Sequence, residues 1–333
     1  MQTTRWRYGI LLFLLIGSAI DAQDEPLGEA LKENFKKSYL SVGMLLQTVG
    51  DFQGERTVAG NNGFNISNFR LSLRGELDRG FAYFVQANFI ASPAILDARL
   101  SYRLSPGFTL DAGQFKVPFS NEFLTTADAI DFVNRSQVVS ALVPGRDIGV
   151  QLRGALAGPA VTATLGGFNG NRSETNNNDN GEFLYAGRLA LAPSSGSLEL
   201  GVNAAYSRDR NATVAGESFR GKRFLAGGDI RWQEGPVLLA GEYIYASLKS
   251  SGAEINPAGF HATAGYMVAQ NQQLLFRFDS FRPDGQSADS DQVIFGYNLW
   301  PTSLSEVQVN YIVNPDDNEL KHHQVLLNFQ VAF

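Results

Sequence analysis

Four arginines stand at regular spacings in segments where polar and apolar residues alternate. Arg70 and Arg74 lie four residues apart in one such segment, and Arg99 and Arg103 repeat this spacing in another. In a β-strand the spacing puts both arginines of a pair on the same face. Guanidinium groups stay charged and bind the oxygens of phosphate-like anions through forked hydrogen bonds. With Asp97 as the single acid nearby, the pattern predicts a basic stripe that attracts oxyanions. The alternative for each arginine is a salt bridge that braces a wall.

The sequence offers little support for catalysis or for metal binding. Its three histidines, His261, His322 and His323, have no acidic residues at the spacing of a metal site. No Ser-His-Asp or paired-carboxylate arrangement stands out, so we expect neither an enzyme nor a cofactor. The chain has a formal net charge of −6, which argues against nucleic acid as a partner.

The elements that must position the arginines are strands of roughly ten residues, with apolar and polar residues alternating in many of them. The last one keeps this alternation to the carboxyl terminus and ends on Phe333. One face of such strands suits lipid and the other suits a polar lumen. We therefore predict an all-β fold, a transmembrane antiparallel β-barrel of about 16 strands. The predicted strands span 38–48, 64–78, 81–91, 94–104, 108–116, 146–155, 160–168, 182–192, 197–207, 222–233, 236–247, 258–268, 273–282, 291–300, 304–313 and 322–333.

The connections between the predicted strands alternate in length. Those after even-numbered strands are tight turns, whereas those after odd-numbered strands are usually long. Membrane barrels show this alternation, with short periplasmic turns and long outer loops. Nothing in the architecture of a soluble β-sandwich requires it. An even strand count also places both termini in the periplasm. The long connections are 49–63, 117–145, 169–181, 208–221 and 248–257.

The amino-terminal residues predict export. Arg5 and Arg7 precede the apolar run 8–16, and small residues then allow cleavage after Ala19 or Ala22. The apolar run is too short for a membrane-spanning helix, which needs about 20 residues. An exported barrel of this kind belongs in the bacterial outer membrane. The predicted organisation is a signal peptide at 1–22, a periplasmic leader at 23–37 and the barrel at 38–333.

Short motifs in the middle of the chain provide a separate indication. They are Gly113-Gln114-Phe115-Lys116-Val117-Pro118-Phe119, Asn134-Arg135-Ser136, Pro144-Gly145-Arg146-Asp147-Ile148-Gly149-Val150, Gly187-Arg188 and Gly241-Glu242-Tyr243-Ile244. Together they resemble the phosphate-selective porin O and P family. The resemblance implies a sixteen-stranded barrel, usually a trimer, whose third outer loop, here 117–145, folds inward and narrows the channel. It also implies anion binding by basic residues along the pore, and Lys116 and Arg146 match the family motif.

These observations predict an outer-membrane porin for passive diffusion of small hydrophilic solutes, with anions such as phosphate or polyphosphate as the expected cargo. A general porin without selectivity and a structural or adhesive barrel remain alternatives. The expected partners are small anionic solutes, outer-membrane lipid and lipopolysaccharide, and further copies of the chain in a homotrimer. The candidate pore-lining and anion-binding residues are Arg70, Arg74, Arg99, Arg103, Lys116, Arg146 and Arg153.

Overall fold

A computed structural model of the chain shows a closed antiparallel barrel. The structure describes residues 36–37, 39–90, 94–172, 177–193, 196–214, 217–285, 288–317 and 319–333. The predicted signal peptide, and the predicted leader up to residue 35, lie outside the described residues. The last two leader residues, Lys36–Lys37, form a short strand that pairs with the start of the barrel.

Sixteen long strands form the wall, and each matches one predicted segment. They are β1 (Leu40–Gln53), β2 (Gly63–Glu76), β3 (Phe81–Asn88), β4 (Ala94–Ser105), β5 (Phe108–Lys116), β6 (Arg146–Ala155), β7 (Val161–Phe168), β8 (Leu184–Leu191), β9 (Leu198–Val214), β10 (Glu217–Glu234), β11 (Val237–Ser250), β12 (Ala258–Ala269), β13 (Gln272–Arg282), β14 (Ser290–Thr302), β15 (Ser305–Val313) and β16 (Gln324–Ala332). Each strand pairs with its neighbours along the chain. The predicted sixteen-stranded barrel is confirmed.

Pairing of the last strand with the first closes the sheet. Leu327 of β16 lies opposite Gly50 of β1, and the register continues along both strands. Beyond β16, the Phe333 N–H donates to the Met44 carbonyl, and the Met44 N–H donates to the Phe333 carbonyl. Closure therefore satisfies backbone groups that an open sheet would leave at its edges.

The two faces of the wall differ as the alternation predicts. Leu71, Leu100 and Phe329 point outward, and each remains more than a third exposed. Gln308 and Asn328 point inward, and each is 1% exposed. An outer surface of large apolar side chains suits contact with hydrocarbon, and the inner polar side chains form hydrogen bonds with one another or with the loop they face.

Two of the predicted loops are largely strand. β9 and β10 continue through most of 208–221, and the short strand Ala253–Ile255 extends β11 within 248–257. The interpretation of 208–221 as loop was wrong because the segment is mostly polar and lacks a regular apolar alternation, whereas its backbone continues the pairing of β9 with β10. The hairpin has a buried face, because Val214 is 3% exposed and belongs to the same buried cluster as Leu225, and Asp209 forms a buried ion pair with Arg223. This burial depends on contacts with other parts of the chain, which the local pattern does not show.

Two helices, α1 (Asn121–Leu124) and α2 (Gln137–Leu142), lie between β5 and β6. One-turn 3₁₀ helices occur at Asp78–Gly80 and Leu320–His322. Among the described residues no helix has the length and apolar character needed to cross a membrane.

Candidate pore and constriction site

Residues 117–145, called here the inward loop, are bound to polar side chains of the barrel wall. On β16, Gln330 donates a hydrogen bond of 2.9 Å to the Asp128 carbonyl. On β15, Gln308 donates one of 3.1 Å to the Ile130 carbonyl. Both wall residues lie on the inward face, so this part of the loop runs inside the barrel.

The same loop forms ion pairs with other strands. The Glu122 carboxylate lies 2.7 Å from the guanidinium of Arg277 on β13. Asp131 lies 2.8 Å from Arg231 on β10. Because β10 and β16 are far apart around the barrel, a loop that contacts both must cross the lumen.

An apolar cluster holds the rest of the inward loop. Phe119, Val138 and Leu142 are fully buried and belong to one cluster with the inward-facing wall residues Leu225 and Ile244. Complete burial of a side chain of this size contributes about 1.5–3 kcal/mol. The loop therefore fills part of the lumen and leaves cavities beside it.

A cavity of about 640 Å³ remains beside the loop, and we call it the basic chamber. It reaches the tight turn after β14, where Ser303 and Leu304 line it. Six of the seven candidate residues line this chamber. The exception is Arg103, which is exposed near the turn after β4. The charged lining residues are Arg70, Arg74, Arg99, Lys116, Arg146, Arg153, Arg188, Asp97 and Asp128.

Strand register places two of the arginines in one row. Arg74 on β2 is opposite Phe84 on β3, which is opposite Arg99 on β4. The Arg99 guanidinium lies 5.8 Å from the centre of the Phe84 ring, in a cation–π contact. Next in the row is Gly113 of β5, with φ +125, where a Cβ would overlap the Ala98 carbonyl oxygen. Only glycine fits there, which explains the first residue of the motif.

Three of the candidate arginines are paired with acids. Arg146 lies 3.1 Å from Asp97. Asp111, fully buried, lies 2.6 Å from Arg153 and 3.9 Å from Arg99. The expectation that Asp97 is the single acid near this sector was therefore wrong. Asp111 lies on β5, between the strands that carry Arg99 and Arg153.

Lys116 has a structural role. Its ammonium donates hydrogen bonds to the carbonyls of Phe123, Leu124 and Thr125, at 2.6, 3.1 and 2.8 Å. These are carbonyls at the carboxyl end of α1, where positive charge is favourable. All three ammonium protons are engaged, so Lys116 positions the inward loop, although the motif suggested an anion ligand.

Arg70 lies at the junction of two cavities. It lines the basic chamber and also a chamber of about 490 Å³ on the side of the long loops, lined in addition by Asn134 and Gln324. Its Nε donates to Asn68 at 2.7 Å. Within the described ranges, no carboxylate lies within 4.0 Å of the Arg70 or Arg74 guanidinium. Arg70 is thus an unneutralised cation at the passage between the chambers.

The opposite wall carries the opposite charge. A cavity of about 410 Å³, which we call the acidic chamber, lies against β9 to β13, and Leu124 lines both it and the basic chamber. Its charged lining residues are Glu122, Asp131, Glu199, Asp229, Glu242, Arg231 and Arg277, with His261. Closure of the barrel therefore places most of the basic lumen residues on one wall and most of the acidic ones on the other.

The candidate pore-lining residues did not include Arg188, and sequence reasoning missed the acid cluster at the long loops. Arg188 lines the basic chamber and binds Asp229 at 2.8 Å; its motif with Gly187 was the available signal. Ligand atoms of Asp317, Glu319 and His322 lie within 4.8 Å of one another, contrary to the expectation drawn from spacing. The 3₁₀ turn at Leu320–His322 brings them together.

Solved porin structures share this fold at low sequence identity. An anion-selective porin from Comamonas acidovorans is 15% identical, with 89% of this chain and 100% of that chain covered and a TM-score of 0.69. OmpT of Vibrio cholerae, in a trimer form, is 12% identical, with 88% and 99% covered and a TM-score of 0.65. The outer membrane channel DcaP of Acinetobacter baumannii is 12% identical, with 90% and 99% covered and a TM-score of 0.62.

No curated protein matches the chain significantly by sequence. The family profile described as phosphate-selective porin O and P, however, matches residues 45–225, more than half of the chain. The match runs from β1 into β10 and includes the inward loop and most of the basic chamber. The chain therefore belongs to the phosphate-selective porin O and P family and is a porin of the bacterial outer membrane.

Proposed function

We propose that the porin favours small anions, with phosphate and short polyphosphates as the expected class of solute. The observation that carries the proposal is Arg70, an unpaired guanidinium at the junction of the basic chamber and the chamber on the long-loop side. Arg74, also unpaired among the described residues, follows on the same face of β2. A phosphate-like anion would meet these two cations in succession.

The expected size of the effect follows from Coulomb's law. One guanidinium about 7 Å from a singly charged anion attracts it by about 2 kcal/mol at an effective dielectric constant of about 20. The attraction from the remaining arginines is weaker, because Asp97 neutralises part of the charge of Arg146, and Asp111 part of that of Arg99 and Arg153. Low-dielectric walls focus the remaining field on the passage. Fixed charge of this kind selects among solutes that diffuse through water, without requiring a tight binding site.

Orientation, export and assembly belong to the same proposal. The long connections would face the cell exterior and the tight turns the periplasm, as in membrane barrels generally. Residues 1–22 would direct export and be removed, leaving 23–37 as a periplasmic leader. The outward apolar side chains would contact lipid, lipopolysaccharide and neighbouring copies. A homotrimer is supported by the trimer form of the similar Vibrio cholerae OmpT.

The test is the reversal potential of single channels in a KCl gradient. Arg70→Gln combined with Arg74→Gln should lower the anion preference several-fold and weaken block of chloride current by phosphate. The matched control is Arg79→Gln combined with Arg103→Gln, which removes the same charge from exposed positions outside the chambers. The control should leave the reversal potential close to that of the unmodified channel.

A general porin is the second candidate, and the acidic chamber favours it. Opposed basic and acidic walls set up a field across the lumen, which orients polar solutes without strongly selecting one sign of charge. Equal reversal potentials for the Arg70 and Arg74 double variant and its control would support this candidate and reject anion selectivity. A structural or adhesive barrel predicts no stepwise current at all.

A further inference from the structure

Two carboxylates of the acidic chamber lack a cationic partner. Three of the five acids are neutralised: Glu122 by Arg277, Asp131 by Arg231 and Asp229 by Arg188. In the part of the chain that the structure describes, no Arg, Lys or His nitrogen lies within 4.0 Å of Glu199 or Glu242. Two carboxyl groups on this wall therefore have no ion-pair partner among the described residues.

Glu242 is the more unusual of the two because it is buried. The residue is 4% exposed; its Oε2 accepts a hydrogen bond of 3.2 Å from the Glu122 N–H, and the Ser120 side chain also lies beside this carboxyl group. Its Oε1 is buried and has no hydrogen-bond partner among the described residues. Its cross-strand neighbour His261 is 6% exposed; its Nε2 lies 3.8 Å from the Glu122 carboxylate, and neither ring nitrogen has a hydrogen-bond partner among the described residues. Both side chains line the chamber. Because buried polar groups are normally satisfied, these atoms point to a bound group that donates hydrogen bonds.

The spacing of the two free acids indicates the shape of that group. Glu199 on β9 is opposite Arg231, while Glu242 on β11 is opposite Asp229, two residues further along β10. Two strand spacings and two residue rises put the two Cα atoms about 12 Å apart. Neither Glu199 nor Glu242 belongs to a group of three or more possible metal ligands among the described residues, so the pair gives no indication of a metal site. An extended molecule with a positive charge at each end can contact both carboxylates.

We propose that the acidic chamber binds a linear aliphatic diamine. One ammonium group would donate to Glu242 Oε1 and to the neutral imidazole of His261, and the other would contact Glu199. The methylene chain would lie along Ile130 and Ala240, which also line the chamber. Binding adds two positive charges to the wall that faces the anion path, so it raises the anion preference of the channel.

The experiment uses the full chain in planar bilayers and measures reversal potential in a KCl gradient as 1,4-diaminobutane is added. We expect a saturable shift toward anion preference. Glu242→Gln should raise the half-saturating diamine concentration at least tenfold, and Glu199→Gln should do the same. The matched control is Glu234→Gln at the exposed end of β10, which should respond like the unmodified channel. Diamine should also raise the melting temperature of the unmodified protein.

Two outcomes would overturn the proposal. One is an unchanged diamine response in Glu242→Gln or Glu199→Gln. The other is an equal shift from MgCl₂ or from 1-aminobutane at the same concentration, which would indicate charge screening. If the Glu242→Gln variant does not insert into the bilayer, the diamine response of Glu199→Gln, a substitution at an exposed position, tests the proposal instead. Reversal potentials without diamine test the anion proposal separately, so either proposal can fail alone.

Discussion

Arg277 on β13 lies 2.7 Å from the carboxylate of Glu122 on the inward loop. The other half of the loop joins the same contact, because Ser136 donates to Glu122 through its N–H at 2.9 Å and its hydroxyl at 2.7 Å. The Arg277 guanidinium also lies 4.2 Å from the centre of the Phe132 ring. A single buried ion pair thus ties both halves of the loop to the barrel wall.

Removing one partner of this pair should release the loop. Glu122→Gln leaves Arg277 buried without its counter-charge, and such a loss costs about 3–5 kcal/mol. We expect larger and noisier single-channel currents and a lower unfolding midpoint in denaturant. The control is Glu182→Gln, whose partner Arg208 is 3.0 Å away and about half exposed; it should cost no more than about 1 kcal/mol. Equal effects of the two variants would show that the ion pair does not hold the loop.

Lys116→Met tests whether this residue positions the loop or binds the solute. The substitution removes three hydrogen bonds to carbonyls at the end of α1. Loss of hydrogen bonds to a charged group should cost about 1.5–3 kcal/mol and increase current fluctuations. The reversal potential should change less than in Arg70→Gln. A larger change in selectivity than in Arg70→Gln, with quiet currents, would make Lys116 an anion ligand instead.

The lipid-facing and lumen-facing sides should respond differently to arginine. Leu71 points outward and is 38% exposed, whereas its neighbour Ser72 lines the basic chamber. Leu71→Arg should destabilise the barrel by about 2–4 kcal/mol near the bilayer midplane. Ser72→Arg should fold normally and reduce conductance, because its side chain enters the chamber. Folding yield in lipid vesicles and single-channel current measure the two effects, and equal folding defects would contradict the assigned faces.

The long-loop end should respond to pH through His322. Its hydrogen bond to Asp317, 2.7 Å long, raises the pKa of His322 above its ordinary value of 6.5. The contribution of this contact to stability is complete below pH 6.5 and is lost as pH rises through the raised pKa. Proteolysis of 314–323 should therefore become faster at alkaline pH. Titration by NMR should show a lower His322 pKa in Asp317→Asn, and an unchanged pKa would show that this contact is absent in solution.

The sequence by itself determined the strands and their faces. Alternation such as Leu71 beside Ser72 is a local property, because successive side chains of a strand point to opposite sides. The inward direction of Arg70, Arg74 and Arg99 could be inferred for the same reason. Residues 208–214 escaped this reasoning because the segment is mostly polar, and the burial of Asp209 and Val214 depends on contacts with other parts of the chain.

Only the tertiary structure decided which basic residues are free to meet a solute. Arg153 and Asp111 are 42 residues apart, and they meet because β5 and β6 are adjacent. Lys116 reaches α1 only because the loop turns inward after β5. The separation of a basic wall from an acidic wall likewise depends on closure of β16 against β1. Charges interact through distance in space, and the closed barrel sets those distances across its lumen.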